Sequence, residues 1–129
     1  MNKTLHSVLY VDDEDDIREI VELSLRLDGS LDVATCPSGQ AALDYLETHI
    51  PDVVVLDVMM PGLDGPGTLA RMRERPECAS VPVIFLTAKA QRDELERFLA
   101  LGAIGVVAKP FDPMTLARQL RDIWDAHYA

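Results

Sequence analysis

The chain alternates five times between a short apolar run typical of a β-strand and a longer segment with helical periodicity. In the first helical segment, Ile17, Ile20, Val21 and Leu25 repeat at the spacing of one buried stripe. Strands are predicted over residues 5–11, 31–35, 53–56, 81–86 and 104–108. Helices are predicted over 15–28, from an N-cap at Ser38, around 68–75, over 90–101, and from an N-cap at Asp112 with Pro113 at the first helical position.

Five strand-then-helix units joined by short loops predict an open parallel sheet with helices on both faces. The run from Val53 to Leu56 has no polar alternation, as expected of a strand buried on both sides. Right-handed crossovers restrict the topology to a few doubly wound strand orders. Pro66 and Gly67 are poor helix formers, so the third helix is expected to start late or loosely. The whole chain, residues 1–129, is predicted to form a single domain.

Charge and composition exclude several classes of function. Twelve Lys and Arg residues against 22 Asp and Glu residues give a net charge of −10. Such a surface repels phosphate backbones and anionic lipids, so direct contact with nucleic acid or membrane is not expected. No apolar run approaches the roughly 18–20 residues needed to span a bilayer, and the N-terminus lacks the features of a secretory signal. The sequence therefore predicts a soluble, cytoplasmic protein, in which Cys36 and Cys78 are reduced thiols without CxxC spacing.

Polar residues follow four of the five predicted strands. Asp12 and Asp13 follow the first strand, Asp57 the third, Thr87 the fourth and Lys109 the fifth. In open α/β sheets the ligand site lies outside these carboxyl ends, near the point where the strand order reverses. Taken singly, the paired aspartates could be helix-capping carboxylates, Thr87 a loop hydroxyl and Lys109 part of a turn. Their common position at one end of the sheet is what favours a functional site.

Three converging carboxylates would repel one another unless a cation lay between them. Oxygen ligands favour Mg²⁺ over Zn²⁺, and a lysine suits a phosphoryl oxygen. The residues therefore predict phosphoryl chemistry on a carboxylate, in which one aspartate attacks while Mg²⁺ and the lysine neutralise the transferring group.

The segments that carry these residues resemble the receiver domain of bacterial two-component response regulators, over essentially the whole chain. The matching segments are Val8-Leu9-Tyr10-Val11-Asp12-Asp13-Glu14, Val55-Leu56-Asp57-Val58-Met59-Met60-Pro61-Gly62-Leu63-Asp64-Gly65, Ile84-Phe85-Leu86-Thr87-Ala88 and Lys109-Pro110-Phe111. The resemblance implies a flavodoxin-like (CheY-like) doubly wound sheet of five parallel strands in the order 2-1-3-4-5. It also implies phosphorylation by a partner histidine kinase or histidine phosphotransfer protein and a downstream protein target.

The resemblance also implies a role for each site residue. Asp57 would be the phosphoacceptor. Asp13 and Asp57 would bind Mg²⁺ directly together with the backbone carbonyl of Met59, and Asp12 would act largely through water. The Thr87 hydroxyl, the Ala88 backbone N–H and Lys109 would bind the phosphoryl group, and the Lys109–Pro110 bond is usually cis in this family.

The chain departs from the family at Val106, where many receivers carry Tyr or Phe three residues before the lysine. The aromatic readout of phosphorylation is therefore not expected here. The end of the chain after the fifth helix favours a stand-alone receiver that signals through its surface and is not itself an enzyme.

Two rival functions on related folds fit the sequence less well. A phosphatase with an aspartyl-phosphate intermediate typically requires an acidic residue at the position of Met59 to act as the general acid. A flavin carrier would require a phosphate-binding loop rich in Ser, Thr and Gly after the first strand, where this chain has five carboxylates from Asp12 to Asp16.

Overall fold

The computed structural model describes residues 4–128, in which five parallel strands alternate with five helices. The strands are β1 Ser7–Val11, β2 Asp32–Cys36, β3 Val53–Asp57, β4 Val83–Thr87 and β5 Gly105–Ala108. The helices are α1 Asp15–Arg26, α2 Gly39–Leu46, α3 Gly65–Arg73, α4 Arg92–Ala100 and α5 Leu116–Tyr128. None of the helices in this range has the length and apolarity required to cross a bilayer.

The sheet has the strand order β2-β1-β3-β4-β5, and every neighbouring pair is parallel. The doubly wound α/β fold and the order implied by the family resemblance are therefore confirmed. The chain passes from β1 outward to β2 and then returns to the other side of β1 to form β3. This reversal places the switch point between β1 and β3, where ligands bind in folds of this kind.

The sheet is buried on both faces, as the unbroken apolar strands predict. All five residues of β3 and all five of β4 are buried. One face packs against α2, α3 and α4, through a core cluster that includes Leu43, Leu69, Met72 and Phe98. The opposite face packs against α1 and α5, through a cluster that includes Val21, Leu25, Leu116, Leu120 and Trp124. Cys36 and Cys78 are free thiols, as predicted, and both are buried.

Four strands begin later than the sequence predicts: β2 and β5 by one residue each, and β1 and β4 by two. β1 starts at Ser7 because the Asp52 carboxylate accepts the backbone N–H groups of His6 and Ser7, at 2.8 and 3.1 Å. β4 starts at Val83 because Pro82, the residue before it, has no N–H to offer a strand ladder.

The expectation of a late or loose α3 is wrong. The helix begins at Gly65, because the Asp64 carboxylate accepts the Gly67 N–H at 2.7 Å and Pro66 sits in the first turn. Proline is tolerated there, since the N–H it lacks would have had no partner inside the helix.

The predicted start of α5 is also wrong, because the helix begins at Leu116. The Asp112 carboxylate accepts the Met114 N–H at 2.9 Å and the Asp112 carbonyl accepts the Thr115 N–H at 3.0 Å. These bonds form a separate turn before the helix. Asp112 and Pro113 therefore belong to that turn and not to α5.

Candidate functional site

The polar residues at the strand ends meet at one edge of the sheet, as predicted. β3 ends at Asp57 and β4 ends at Thr87, and the parallel register pairs Thr87 with Ala108, the residue before Lys109. The Lys109 N–H donates to the Thr87 backbone carbonyl at 2.8 Å, which ties the last two strand ends together. The sheet register is therefore what brings residues from four separate segments to one place.

Asp12, Asp13 and Asp57 form a cluster of carboxylates. Each contributes an oxygen, and these oxygens lie within 4.8 Å of one another. Asp12 and Asp57 are buried, whereas Asp13 is exposed. A set of oxygen donors with one side open to solvent suits a hard divalent cation such as Mg²⁺, which keeps several of its water ligands. The residues therefore fit the metal that the sequence predicts.

Lys109 is the cation that faces this cluster. Its ammonium donates to Asp57 Oδ1 at 2.8 Å and lies 3.9 Å from Asp12 Oδ2. Burial raises the pKa of Asp57, and the hydrogen bond from Lys109 opposes this increase without cancelling it. Burial alone would lower the pKa of Lys109, but the Asp57 carboxylate raises it overall, so the lysine is held in its charged form.

The buried carboxylate of Asp12 is fixed by two donors from its own segment. The Tyr10 hydroxyl donates to Oδ2, and the Glu14 backbone N–H donates to Oδ1 at 3.0 Å. Burial and the neighbouring Asp12 both raise the pKa of the Tyr10 phenol, which therefore stays protonated and donates. Tyr10 was assigned from the sequence only to an apolar strand. The signal that could have identified it is the spacing of two residues, which places Asp12, just after β1, on the same side of the extended chain as Tyr10.

A bond from α1 also supports the backbone of this loop. The Arg18 guanidinium donates to the Asp12 backbone carbonyl at 2.9 Å and pairs with the Asp15 carboxylate. Part of the negative charge between residues 12 and 16 is thereby balanced locally.

The other predicted residues lie in the neighbouring loops. A cleft beside the ends of β3 and β4 is lined by Met59, Thr87, Ala88 and Phe98, among others. Thr87 is buried and its hydroxyl accepts the Lys89 N–H at 3.0 Å, whereas Ala88 is exposed and the Met59 residue is 80% exposed. The structure therefore brings Met59, Thr87 and Ala88 together.

The loop after β3 closes tightly against the site. The Gly65 N–H donates to the Val58 carbonyl at 3.0 Å. A Cβ atom at Gly65 would lie only 2.6 Å from the Asp57 carbonyl oxygen, so no larger residue fits at this approach. The start of α3 is thereby held directly behind the Asp57 backbone.

An apolar cleft opens on the other side of Lys109. It is lined by Ile17 and Ile20 of α1 and by Ala88, Pro110, Phe111 and Pro113. The Lys109–Pro110 peptide bond at its edge is cis, as the family resemblance implies.

Comparison with known proteins finds similarity to response regulators. A family model described as "Response regulator receiver domain" matches residues 8–121. Over 116 residues the chain is 40% identical to the transcriptional regulatory protein CseB of Streptomyces avermitilis, covering 90% of this chain and 48% of CseB. It is 37% identical over 117 residues to the response regulator Rre1 of Synechocystis, covering 91% of this chain and 51% of Rre1. The chain thus spans about half the length of these curated relatives.

Solved structures with the same fold include the chemotaxis protein CheY4 of Vibrio cholerae. The TM-score is 0.83 at 31% sequence identity, and the match covers 93% of this chain and 99% of CheY4.

Proposed function

The chain belongs to the response regulator receiver domain family, and from this membership and the geometry of the site we propose that it accepts a phosphoryl group on Asp57. The donor is a phosphohistidine on a histidine kinase or a histidine phosphotransfer protein. The phosphorylated domain then signals to a downstream protein through a change of its surface.

The observation that carries the proposal is the contact between Lys109 and Asp57 inside the carboxylate cluster. Asp57 is 3% exposed, yet one of its oxygens holds an ammonium group at 2.8 Å. A buried carboxylate with a raised pKa and a specific charged partner, at the switch point of a doubly wound sheet, has the features of a reactive group.

The transfer step conserves atoms and charge as follows. A carboxylate oxygen of Asp57 attacks phosphorus, an O–P bond forms, and the N–P bond to the donor imidazole breaks with its electron pair passing to nitrogen. The product is an acyl phosphate on Asp57 and a histidine that takes up a proton from water. In the step that ends the signal, a water molecule attacks phosphorus, the O–P bond to Asp57 breaks, and inorganic phosphate and the free carboxylate are released. Both steps are proposed to be catalysed by the domain itself.

Asp12, Asp13, Asp57 and the backbone carbonyl of Met59 are the groups proposed to hold Mg²⁺, with Asp12 acting largely through water. When bound, the cation supplies positive charge that neutralises the carboxylates and the phosphoryl oxygens. Lys109 supplies a second positive charge from the other side of Asp57. The Thr87 hydroxyl and the Ala88 N–H are proposed to donate to phosphoryl oxygens, since both line the cleft beside Asp57.

The site does not support a phosphatase that uses an aspartyl-phosphate intermediate. The general acid of such an enzyme would stand two residues after the nucleophile, where this chain has Met59. A thioether carries no acidic proton. The domain is therefore not proposed to turn over an external phosphate ester.

The apolar cleft beside Lys109 bears on how a phosphoryl donor reaches the site. The apolar cleft beside Lys109 is a surface on which a protein donor can dock next to Asp57. That residues 1–129 act as a single, stand-alone receiver domain stays a prediction, as does its cytoplasmic location.

The test is phosphorylation with acetyl phosphate and Mg²⁺, followed by mass spectrometry to locate the modified residue. The wild type is expected to be labelled at Asp57, and Asp57→Ala is expected to lose all labelling. Asp57→Ala is expected to fold, because it removes a buried charge. Asp125→Ala, which changes an exposed aspartate on α5, is the matched control and should be labelled normally. Labelling that persists at Asp12 or Asp13 would show that the nucleophile is wrongly assigned.

A further inference from the structure

Tyr10 lies near the carboxyl end of β1, two residues before Asp12, and β1 has a neighbouring strand on each side. The residue is fully buried, and its ring belongs to the core between the sheet and helices α1 and α5. An apolar side chain would fill this position equally well as far as packing is concerned. Only the hydroxyl group separates Tyr10 from a plain core residue, and that hydroxyl donates to Asp12 Oδ2.

The oxygen that receives this bond lies at the centre of the site. Asp12 Oδ2 is also 3.9 Å from the ammonium of Lys109, which donates to Asp57 at 2.8 Å. The other oxygen of Asp12 accepts the Glu14 N–H. Because Asp12 is fully buried, the loss of a donor leaves Oδ2 as an unsatisfied buried acceptor, which is unfavourable. The phenol is thus the donor that satisfies Oδ2 and leaves the lysine free for Asp57.

We propose that Tyr10 is a positioning residue for the cation site, acting through Asp12. Its hydroxyl fixes the direction of the Asp12 carboxylate and keeps Lys109 paired with Asp57 and not with Asp12. Without the hydroxyl, Asp12 Oδ2 turns toward Lys109, and both the carboxylate cluster and the pair between Lys109 and Asp57 lose their geometry. The proposal rests on the proposed function, because it assumes that Asp12, Asp13 and Asp57 bind Mg²⁺.

The expected change in Mg²⁺ affinity can be taken from other residues that hydrogen-bond to metal ligands. Changing such a group typically lowers metal affinity roughly 10–100-fold. Tyr10→Phe keeps the ring and removes only the oxygen atom, so it isolates the hydrogen bond from the packing. We expect the Kd for Mg²⁺ to rise about tenfold in this variant, at the lower end of that range.

The first experiment is a calorimetric titration of Mg²⁺ into the full chain, with each variant checked for folding by urea denaturation. Tyr45→Phe is the matched control, because it removes a phenol oxygen from the partly buried Tyr45 of α2, away from the cluster. Tyr10→Phe should also be made in an Asp12→Asn background, where it is expected to have little further effect on Mg²⁺ affinity. Equal effects in both backgrounds, or a Kd within about twofold of wild type, would overturn the proposal. Absence of Mg²⁺ binding by the wild type would overturn both this proposal and the proposed function.

The second experiment keeps the phenol group at Tyr10. The chain has three tyrosines, at positions 10, 45 and 128, so incorporation of 3-fluorotyrosine gives three fluorine resonances. The resonances of Tyr45 and Tyr128 are assigned with their Phe variants, and the third then belongs to Tyr10. Addition of Mg²⁺ should shift the Tyr10 resonance and leave that of Tyr45 in place. A Tyr10 resonance that does not respond, in a protein that binds Mg²⁺, would contradict the proposal even if Tyr10→Phe failed to fold.

Discussion

The ionisable residues of the site lie in different surroundings. Asp57 is buried at the end of β3 and accepts a bond from Lys109, Asp12 is satisfied by donors from its own segment, and Asp13 faces solvent. Lys109 reaches the cluster from the last strand and stays charged, because the Asp57 carboxylate raises its pKa. These different surroundings give three aspartates of the same chemistry three different roles in the proposed mechanism.

Asp13→Asn is expected to weaken Mg²⁺ binding by roughly tenfold or more. Changes behind a metal ligand already lower affinity roughly 10–100-fold, and this change removes an anionic oxygen from the ligand set itself. Calorimetric titration with Mg²⁺ measures the effect, and because Asp13 is exposed, the variant is expected to fold as the wild type does. Asp16→Asn removes the same charge from an exposed residue of the acidic run and should change the affinity little. Equal losses in the two variants would mean that only the net charge matters.

The ion pair between Asp28 and Arg121 is expected to stabilise the protein in a pH-dependent way. Arg121 donates to both oxygens of Asp28, at 2.9 and 3.2 Å, and these bonds hold the pKa of Asp28 well below its ordinary value of 3.8. For a carboxylate with a lowered pKa in the folded state, the stabilisation is complete above the ordinary pKa and is lost as the pH falls through the lower one.

Asp28→Asn should therefore lower the free energy of unfolding by about 1 kcal/mol at neutral pH, since the pair is partly exposed and screened. The difference from wild type should shrink at about pH 3 and below, as measured by urea denaturation. Glu22→Gln breaks the more exposed pair with Arg26 and is the control with a smaller expected effect. A difference that stayed constant with pH would contradict the role assigned to the Asp28 charge.

At the scale of the elements, α2 and α3 begin at side chains that accept free backbone N–H groups. Ser38 accepts the Ala41 N–H at 3.0 Å and begins α2, as the sequence predicts. Asp64 does the same for α3, and it thereby holds the first turn of α3 against the Asp57 backbone. The cap of α3 is therefore part of what shapes the site.

Asp64→Ala is expected to destabilise the protein by about 1 kcal/mol, because the Gly67 N–H loses its acceptor. Thermal or urea denaturation measures the change. Asp93→Ala is the matched control, since Asp93 lies in the first turn of α4, where no side chain caps the helix. If both variants lost the same stability, a general helix-dipole effect would explain the result and the cap would not.

At the scale of the molecule, the proposed signalling requires phosphorylation to change a surface that lies away from Asp57. Thr87 ends β4 and leads through a short loop into α4, where Phe98 packs against Phe85 with ring centroids 5.0 Å apart. On the neighbouring strand, Val106 is partly buried against the same core cluster and offers no ring that could turn inward. We therefore expect a structural change at Asp57 to reach the surface through this loop and α4.

We expect phosphorylation, or its mimic beryllofluoride, to alter residues 87–99 more strongly than residues 106–107. The phosphoryl group adds roughly −1.5 to −2 charge at Asp57, and Thr87 and Ala88 gain contacts that exist only in the modified state. Hydrogen exchange with and without beryllofluoride measures the difference, with Asp57→Ala as the control that should not respond. Equal or larger changes in protection at Val106 and Val107 would show that the valine does not uncouple β5.

Local patterns along the chain determined most of the fold and the membership of the site. Unbroken apolar runs such as Val53–Leu56 require burial on both faces, and a charged residue at the end of such a run is conspicuous because burying it is unfavourable. For this reason the parallel α/β sheet, the strand-end residues Asp12, Asp13, Asp57, Thr87 and Lys109, and the cap at Ser38 could all be predicted.

Only the tertiary structure decided how those residues meet. The start of α3 at Gly65 depends on the Asp64 side chain, and the turn at Asp112 displaces the start of α5 to Leu116. The partner of Tyr10 depends on a hydroxyl that reaches Asp12 inside the core, although hydrophobic periodicity treats that side chain as apolar. These three bonds join groups only two or three residues apart, and hydrophobic periodicity misses them because each depends on a single polar atom. The contact between Lys109 and Asp57, 52 residues apart, is fixed instead by the register of the parallel strands, which no local pattern contains.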